Sequence, residues 1–161
     1  MCGITAISSA KIDDFIIKNF NEIHNLLKHR GPDQSGISMD LKNNVLLGHH
    51  RLSIIDINSS RQPYKFENIE LIFNGEIYNY LEFREILKNL GYIFTTSSDT
   101  EVLLTAWEHW GEECIAKLVG MFAFAIYDEN SNQIFLVRDA FGIKPLFYQL
   151  KNKTSLSFSS E

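Results

Sequence analysis

Two cysteines in a chain of 161 residues leave no disulfide framework, and one of the two is the second residue. Cysteine this sparse is expected of a reducing, cytoplasmic setting. Basic residues are too few for a nucleic-acid partner: 15 Lys and Arg against 20 Asp and Glu give a formal charge of -5, whereas phosphate binding needs clustered cations. No apolar run approaches the roughly 18 residues of a membrane span, so no membrane partner is expected. The N-terminus has neither the basic leader nor the long apolar core of a secretory signal. Linkers, repeats and low-complexity tracts are lacking too. A metal is excluded on spacing, because none of His24, His29, His49, His50 and His109 forms a zinc-type pair with a cysteine. Cys114 follows His109 by five residues, about 140° round a helix, so the two do not share a face. Cys114 reads as a packing residue.

What is present fits one soluble domain over 1–161, with hydrophobic residues at 45% and charged residues at 22%. Residues 2–8 alternate and β-branch enough for a strand. Ile16, Phe20, Ile23 and Leu27 recur at helical steps between Asp13 and His29, with Asp13 or Asp14 as cap. Arg30-Gly31-Pro32-Asp33 breaks that helix. One or two buried strands are expected over Val45 to Asp56, and a short strand over Glu70 to Asn74 that runs into Gly75-Glu76. Phe83, Ile86, Leu87 and Leu90 mark one face of a helix over 80–90, ended by Gly91. Further expectations are a strand over 92–95, a helix over 100–110 capped by Asp99, and a short helix over 112–118. Hairpins are expected over 121–138 and 145–159. The class is therefore α+β with layered sheets. The chain stops at Ser159-Ser160-Glu161, straight after a strand, which reads as a fragment of a longer protein.

Chemistry centres on Cys2. Removal of Met1 would put a thiol and a free α-amine on one carbon. From reference pKa values of about 7.7–8.0, roughly a tenth of that amine is neutral at pH 7, against well under a thousandth of a lysine near 10.4. One residue could then serve as nucleophile and general base. The plainer reading is an ordinary strand cysteine. Asn74-Gly75 offers a side-chain amide and a glycine N–H as oxyanion donors, or it is a plain hairpin turn. Arg51, in an otherwise apolar strand, presents a planar fork to a carboxylate, whether a substrate's or a structural one. Glu76 and Asp99 are candidate partners for an ammonium, Asp99 with the competing role of helix cap.

In order along the chain stand Cys2-Gly3-Ile4, His29 to Asp33, Gly48 to Asp56, Asn74-Gly75-Glu76-Ile77-Tyr78-Asn79, Ser98-Asp99-Thr100-Glu101, Gly120 to Ala125, and Arg138 to Leu146. This set resembles class II glutamine amidotransferase domains, which are N-terminal-nucleophile hydrolases. The form Arg51-Leu52-Ser53-Ile54-Ile55-Asp56 is most similar to the glutamine-hydrolysing asparagine synthetases. The resemblance implies a four-layer αββα sandwich of two antiparallel sheets, with Cys2 at a strand end. It implies Cys2 as nucleophile and base, Asn74 and Gly75 as oxyanion hole, Arg51 on the glutamine carboxylate, and Glu76 and Asp99 on its ammonium. No cofactor is implied for this domain. ATP and Mg belong only to a C-terminal synthetase domain, whose pyrophosphate loop this sequence does not contain. The expected partners are glutamine and that synthetase domain, and a homodimer is left open.

Two other readings compete. A blocked terminus would leave the same fold as a silent regulatory or interaction module. A metal or redox thiol at Cys2 would need a partner ligand that the sequence does not supply. The Arg30 to Asp33 turn is expected to pack over the nucleophile, and Gly142-Ile143-Lys144-Pro145 to be structural or a docking surface.

Overall fold

Period-two patterning sorts the strand side chains onto two faces, and the computed structural model, which describes residues 1–56, 60–152 and 154–161, resolves them into two antiparallel sheets. The first sheet holds β1 (Gly3–Ser8), β2 (Gln34–Asp40), β3 (Val45–Arg51), β8 (Phe147–Lys151) and β9 (Ser155–Ser159), in the order β2-β3-β1-β9-β8. The second holds β4 (Tyr64–Phe66), β5 (Ile69–Ile77), β6 (Gly120–Asp128) and β7 (Gln133–Arg138), in chain order. Ile4, Ala6, Val45, Leu47, Ile72, Ala125, Tyr127 and Phe158 meet between the sheets as one core.

Helix α1 (Asp14–Leu26) covers the outer face of the first sheet, and α2 (Tyr80–Asn89) and α3 (Asp99–Trp110) cover the second. The result is the αββα layering that the family resemblance implied. Asp13 caps α1, its Oδ1 accepting the Ile16 N–H at 3.0 Å. Phe20, His24 and Leu27 are its buried face, while Ile23 stays 44% exposed. Gly48 lets α1 lie close, because a Cβ there would stand 2.6 Å from His24 Nδ1. Leu71, Phe73, Ile77, Phe122, Phe124 and Ile126 pack against Phe83, Leu87, Val102, Leu103 and Trp107 in a second core under α2 and α3.

Several local expectations need correction. Residues 92–95 form no strand: the Glu101 carboxylate takes the N–H and hydroxyl of both Thr95 and Thr96, so that backbone is satisfied by a side chain rather than by a ladder. The cap of α3 is Ser98, whose Oγ accepts the Glu101 N–H at 3.2 Å, and Asp99 is the first helical residue. Ile86 and Leu90 are about half exposed, so the buried face of α2 is narrower than its apolar stripe. The short helix after α3 is a 3-10 helix over Gly111–Lys117. Strands β2 and β4 are short of apolar residues (Ile37 and Met39 in one, Tyr64 and Phe66 in the other), and pairing with β3 and β5 recruits them as edges. Asn74-Gly75 is not a turn at all, since β5 runs on to Ile77 with both residues paired to β6.

The His24 and His50 rings stack at 4.0 Å between α1 and β3. Burial pushes His24 down to about 4, and the neighbouring His50 adds to the fall. His49 points the other way, into the sandwich. Its Nε2–H donates to the Phe73 carbonyl at 3.0 Å, and burial pushes it down to about 3. Unfolding frees both imidazoles to protonate near 6.5, so the unfolded chain binds more protons below that pH. Stability should be full above about pH 6.5 and fall as pH drops toward 4, by up to about 1.4 kcal/mol per pH unit for each group. Asp99, pushed up to about 6 by burial, opposes the trend with a single group between its unfolded value and 6. Denaturant midpoints taken from pH 7 down to about 4.5 should therefore decline, and a flat profile would contradict the assignment.

Candidate active site

Apolar filling of the inter-sheet core stops at one end of the sandwich, and the same inward rows continue there with polar residues. In β1 the row Ala6, Ile4 leads to Cys2. In β3, Val45, Leu47 and His49 lead to Arg51, and in β5, Ile72 leads to Asn74 and Glu76. The row in β6 ends on Met121. These residues line one cleft of about 90 Å³, together with Asp99 and Thr100 from the start of α3 and with Gln62 and Lys144. All six residues singled out in the sequence, Cys2, Arg51, Asn74, Gly75, Glu76 and Asp99, line it.

Cys2 is pinned from both sides. Its Sγ accepts the Leu52 N–H at 3.4 Å, and the Arg30 guanidinium donates to the Cys2 carbonyl at 3.0 Å while pairing with Glu161 at 2.7 Å. Asp33 accepts the Ser53 N–H at 2.7 Å, so the Arg30 to Asp33 turn does pack over this end of β1 and tie it to the loop after β3. Burial pushes the Cys2 thiol up, against the Leu52 N–H, the terminal amine and Arg51, which pull it down. The resting group is a thiol, and attack requires a base.

Asn74 is 1% exposed, and neither its Nδ2 nor its Oδ1 has a hydrogen-bond partner among the described residues. Such a group costs about 1–3 kcal/mol of desolvation, a cost that an incoming ligand oxygen would offset. Gly75 supplies a second donor by strand geometry. The Phe73 N–H goes to Gln62 Oε1 at 2.7 Å, and the Ile77 N–H to Asp99 Oδ2 at 3.1 Å. Across the ladder from Gly75, the Phe122 C=O accepts from Asp139 N and the Phe122 N–H goes to the Asp139 carboxylate. In an antiparallel pair the bonded and non-bonded positions alternate, so the Gly75 N–H lies on the outer edge of β5, midway between the other two. A Cβ at Gly75 would fall 2.4 Å from the Met121 carbonyl, which makes glycine obligatory.

The charged residues divide into two ends. Arg51, 4% exposed, donates to Gln34 Oε1 at 3.2 Å and to the carbonyls of Ile55 and Asp56 at 2.7 and 2.6 Å. Its fork is thereby fixed against the loop that roofs the cleft. Asp99 is pushed up to about 6 by burial, with the Ile77 N–H and its own helix start pulling down and the Glu76 charge raising it further. A cation placed between Asp99 and Glu76 would relieve that repulsion.

Sequence reasoning missed two lining residues. Gln62 bridges Phe73 and Thr100, its Nε2 donating to Thr100 Oγ1 at 3.3 Å, and nothing in its spacing marks it. Lys144 was read with a structural or docking segment. Its backbone is indeed pinned by the Asp139 carboxylate, but the residue also lines the cleft. Among the described residues no group of three or more His, Cys, Asp or Glu could hold a metal, and no helix is long and apolar enough to cross a membrane. The arrangement brings together a thiol, an unpartnered side-chain amide beside a glycine N–H, and side chains of opposite charge.

Comparison with known proteins bears on this site. Residues 1–161 match the family described as the glutamine amidotransferase domain. The glutamine-hydrolyzing asparagine synthetase 1 of Bacillus subtilis (strain 168) is 44% identical over 169 residues, covering 100% of this chain and 26% of that protein. Asparagine synthetase B (glutamine-hydrolyzing) of Escherichia coli (strain K12) is 38% identical over 164 residues, covering 100% of this chain and 29% of that one. The chain thus spans between a quarter and a third of the length of these relatives. Among solved structures, the glutamine phosphoribosylpyrophosphate amidotransferase from B. subtilis, complexed with ADP and GMP, superimposes with a TM-score of 0.81. It covers 99% of this chain and 42% of that one at 23% identity, a likeness of fold alone.

Proposed function

The chain belongs to the glutamine amidotransferase family, and from that premise we propose that it hydrolyses glutamine to glutamate and ammonia with Cys2 as nucleophile. The observation that carries the reading is the Asn74 amide, buried without a partner among the described residues in the cleft that Cys2 also lines. Removal of Met1 frees the Cys2 amine. That amine takes the thiol proton as sulfur attacks the side-chain carbonyl of glutamine, and the oxyanion settles on Asn74 Nδ2 and the Gly75 N–H. The protonated amine then delivers its proton to the departing nitrogen, so ammonia leaves and a γ-glutamyl thioester remains. Water, activated by the same amine, cleaves the thioester to glutamate and restores the thiol. Arg51 faces the substrate carboxylate, and Glu76 and Asp99 face its ammonium.

None of these steps uses a cofactor. Within a longer cytoplasmic protein, the ammonia would pass to a C-terminal synthetase domain for ATP- and Mg-dependent amidation of aspartate. The relatives' names and lengths support that extension.

The test joins intact mass to an ammonia assay. A chain one methionine lighter should release ammonia and glutamate from glutamine in equal amounts, and a chain that keeps Met1 should not, because an amide nitrogen has no basicity near neutrality. Equal activity in both forms would overturn the terminal base, and no activity in the processed form would favour a silent module.

A further inference from the structure

The two charged ends of the cleft belong to different layers, yet one short turn ties them together. Thr95 to Ser98 leads directly into Asp99. Glu101 clamps its first half, Oε1 taking the Thr95 N–H and hydroxyl at 2.8 Å each, and Oε2 the Thr96 N–H and hydroxyl at 2.7 and 2.6 Å. Arg84, buried and seated over the Phe94 ring at 4.5 Å, donates to the carbonyls of Thr96 and Ser98 at 2.7 and 2.9 Å. Hydrogen bonds to ionised groups are the stronger kind, so this turn is fixed to α2 and α3 as firmly as a loop can be. Its one projecting donor, the Ser97 N–H, reaches across to Asp56 Oδ2 at 2.7 Å. Asp56 in turn offers its own carbonyl to the Arg51 guanidinium at 2.6 Å.

We infer that the Thr95–Asp99 turn is a gauge for the substrate's α-amino-acid head group, and that Asp56 is the positioning residue through which it sets Arg51. The inference rests on the glutamine-hydrolase reading and adds to it the element that discriminates an amino-acid amide from a simple amide. Asp99 ends the turn, and Arg51 hangs from the loop that the turn holds, so one rigid segment spaces the ammonium and carboxylate receptors. Asp56 sits at φ 50°, a left-handed conformation that asparagine and aspartate tolerate better than other non-glycine residues. Such a residue keeps that conformation where its surroundings over-determine it, and here both its carboxylate and its carbonyl are engaged.

The conformation also dictates the test. Asp56→Gly keeps the positive φ and removes the acceptor, whereas Asp56→Asn keeps both. The substrates are L-glutamine and γ-aminobutyramide, the same amide without the α-carboxylate, presented to the chain with Met1 removed. Asp56→Gly should cut the ratio of the two kcat/KM values about tenfold or more, through a raised KM for glutamine, with kcat for γ-aminobutyramide changed by less than about threefold. Asp56→Asn should restore the ratio to within about threefold of the parent. A general loosening of the fold would lower both substrates together. An unchanged ratio, or an equal fall for both amides, overturns the gauge. A parent chain that releases no ammonia would strike the hydrolase reading instead. The coupling then stands or falls on proton exchange at the Arg51 guanidinium, slow in the parent and fast in Asp56→Gly if the strut is real, and equal in both if it is not.

Discussion

Cys2→Ala, made in the chain with Met1 removed, should lose glutamine hydrolysis by at least about 10⁴-fold while keeping the fold. That loss corresponds to roughly 5.5 kcal/mol of transition-state stabilisation, more than any single pocket contact supplies. The reason is chemical. Without sulfur there is no thioester, and the terminal amine has no thiol to deprotonate. The fold should survive because Cys2 precedes β1 and is only partly buried, and its thiol makes only long contacts to the Leu52 backbone, to the N–H at 3.4 Å and the carbonyl at 3.7 Å. The main-chain carbonyl that Arg30 grips is untouched by the substitution. Thermal unfolding of variant and parent should coincide within a few degrees, since a change of about 1 kcal/mol moves a domain of this size only that far. Steady-state ammonia release with glutamine checks the rate. An alanine variant that still releases ammonia at a comparable rate would remove Cys2 from the mechanism.

The parts of this molecule that the sequence made legible are those governed by one local pattern. The α1 stripe, its Asp13 cap and the stop at Gly31-Pro32 needed only helical periodicity and turn chemistry, although α1 itself ends at Leu26 and a 3-10 turn over Leu27–Arg30 completes the helical run. β1 announced itself by alternation and β-branching, and β6 and β7 as two apolar runs around a turn. The failures share a cause, which is that the deciding partner lies outside the segment's own pattern. Residues 92–95 have the composition of a strand, but Glu101 and Arg84 claim their backbone first. β2 has almost no apolar signal of its own and exists because β3 offers a seven-residue partner. For Asn74-Gly75 the turn reading failed because β6 accepts both residues into its ladder. The proposed oxyanion donors are therefore set by strand alternation and not by a turn. The cleft itself was legible as a set of residue types, and its geometry was not. No spacing rule says that Gln62 and Lys144 would join it, or that the Arg51 fork would be held by the carbonyls of its own loop.

Asn74→Ala should separate function from stability in opposite directions. Loss of one oxyanion donor lowers kcat by about 10²–10³-fold, and KM should move far less, because the donor acts on charge that develops only during attack. Stability responds to a different ledger. In the resting protein both ends of the Asn74 amide are buried without partners among the described residues, and an unsatisfied buried polar group costs about 1–3 kcal/mol. Alanine removes that cost and leaves a small void next to a cleft that water can enter. It also keeps the β5–β6 ladder, since the Asn74 backbone stays opposite Ala123. The denaturant midpoint should therefore hold or rise while turnover collapses, the trade expected where a strained group is kept for chemistry. A variant both slower and clearly less stable would mean that the Asn74 amide is structural glue whose partner lies outside the protein atoms. A variant of unchanged kcat would remove the Asn74 amide from the oxyanion hole and leave the Gly75 N–H as its donor.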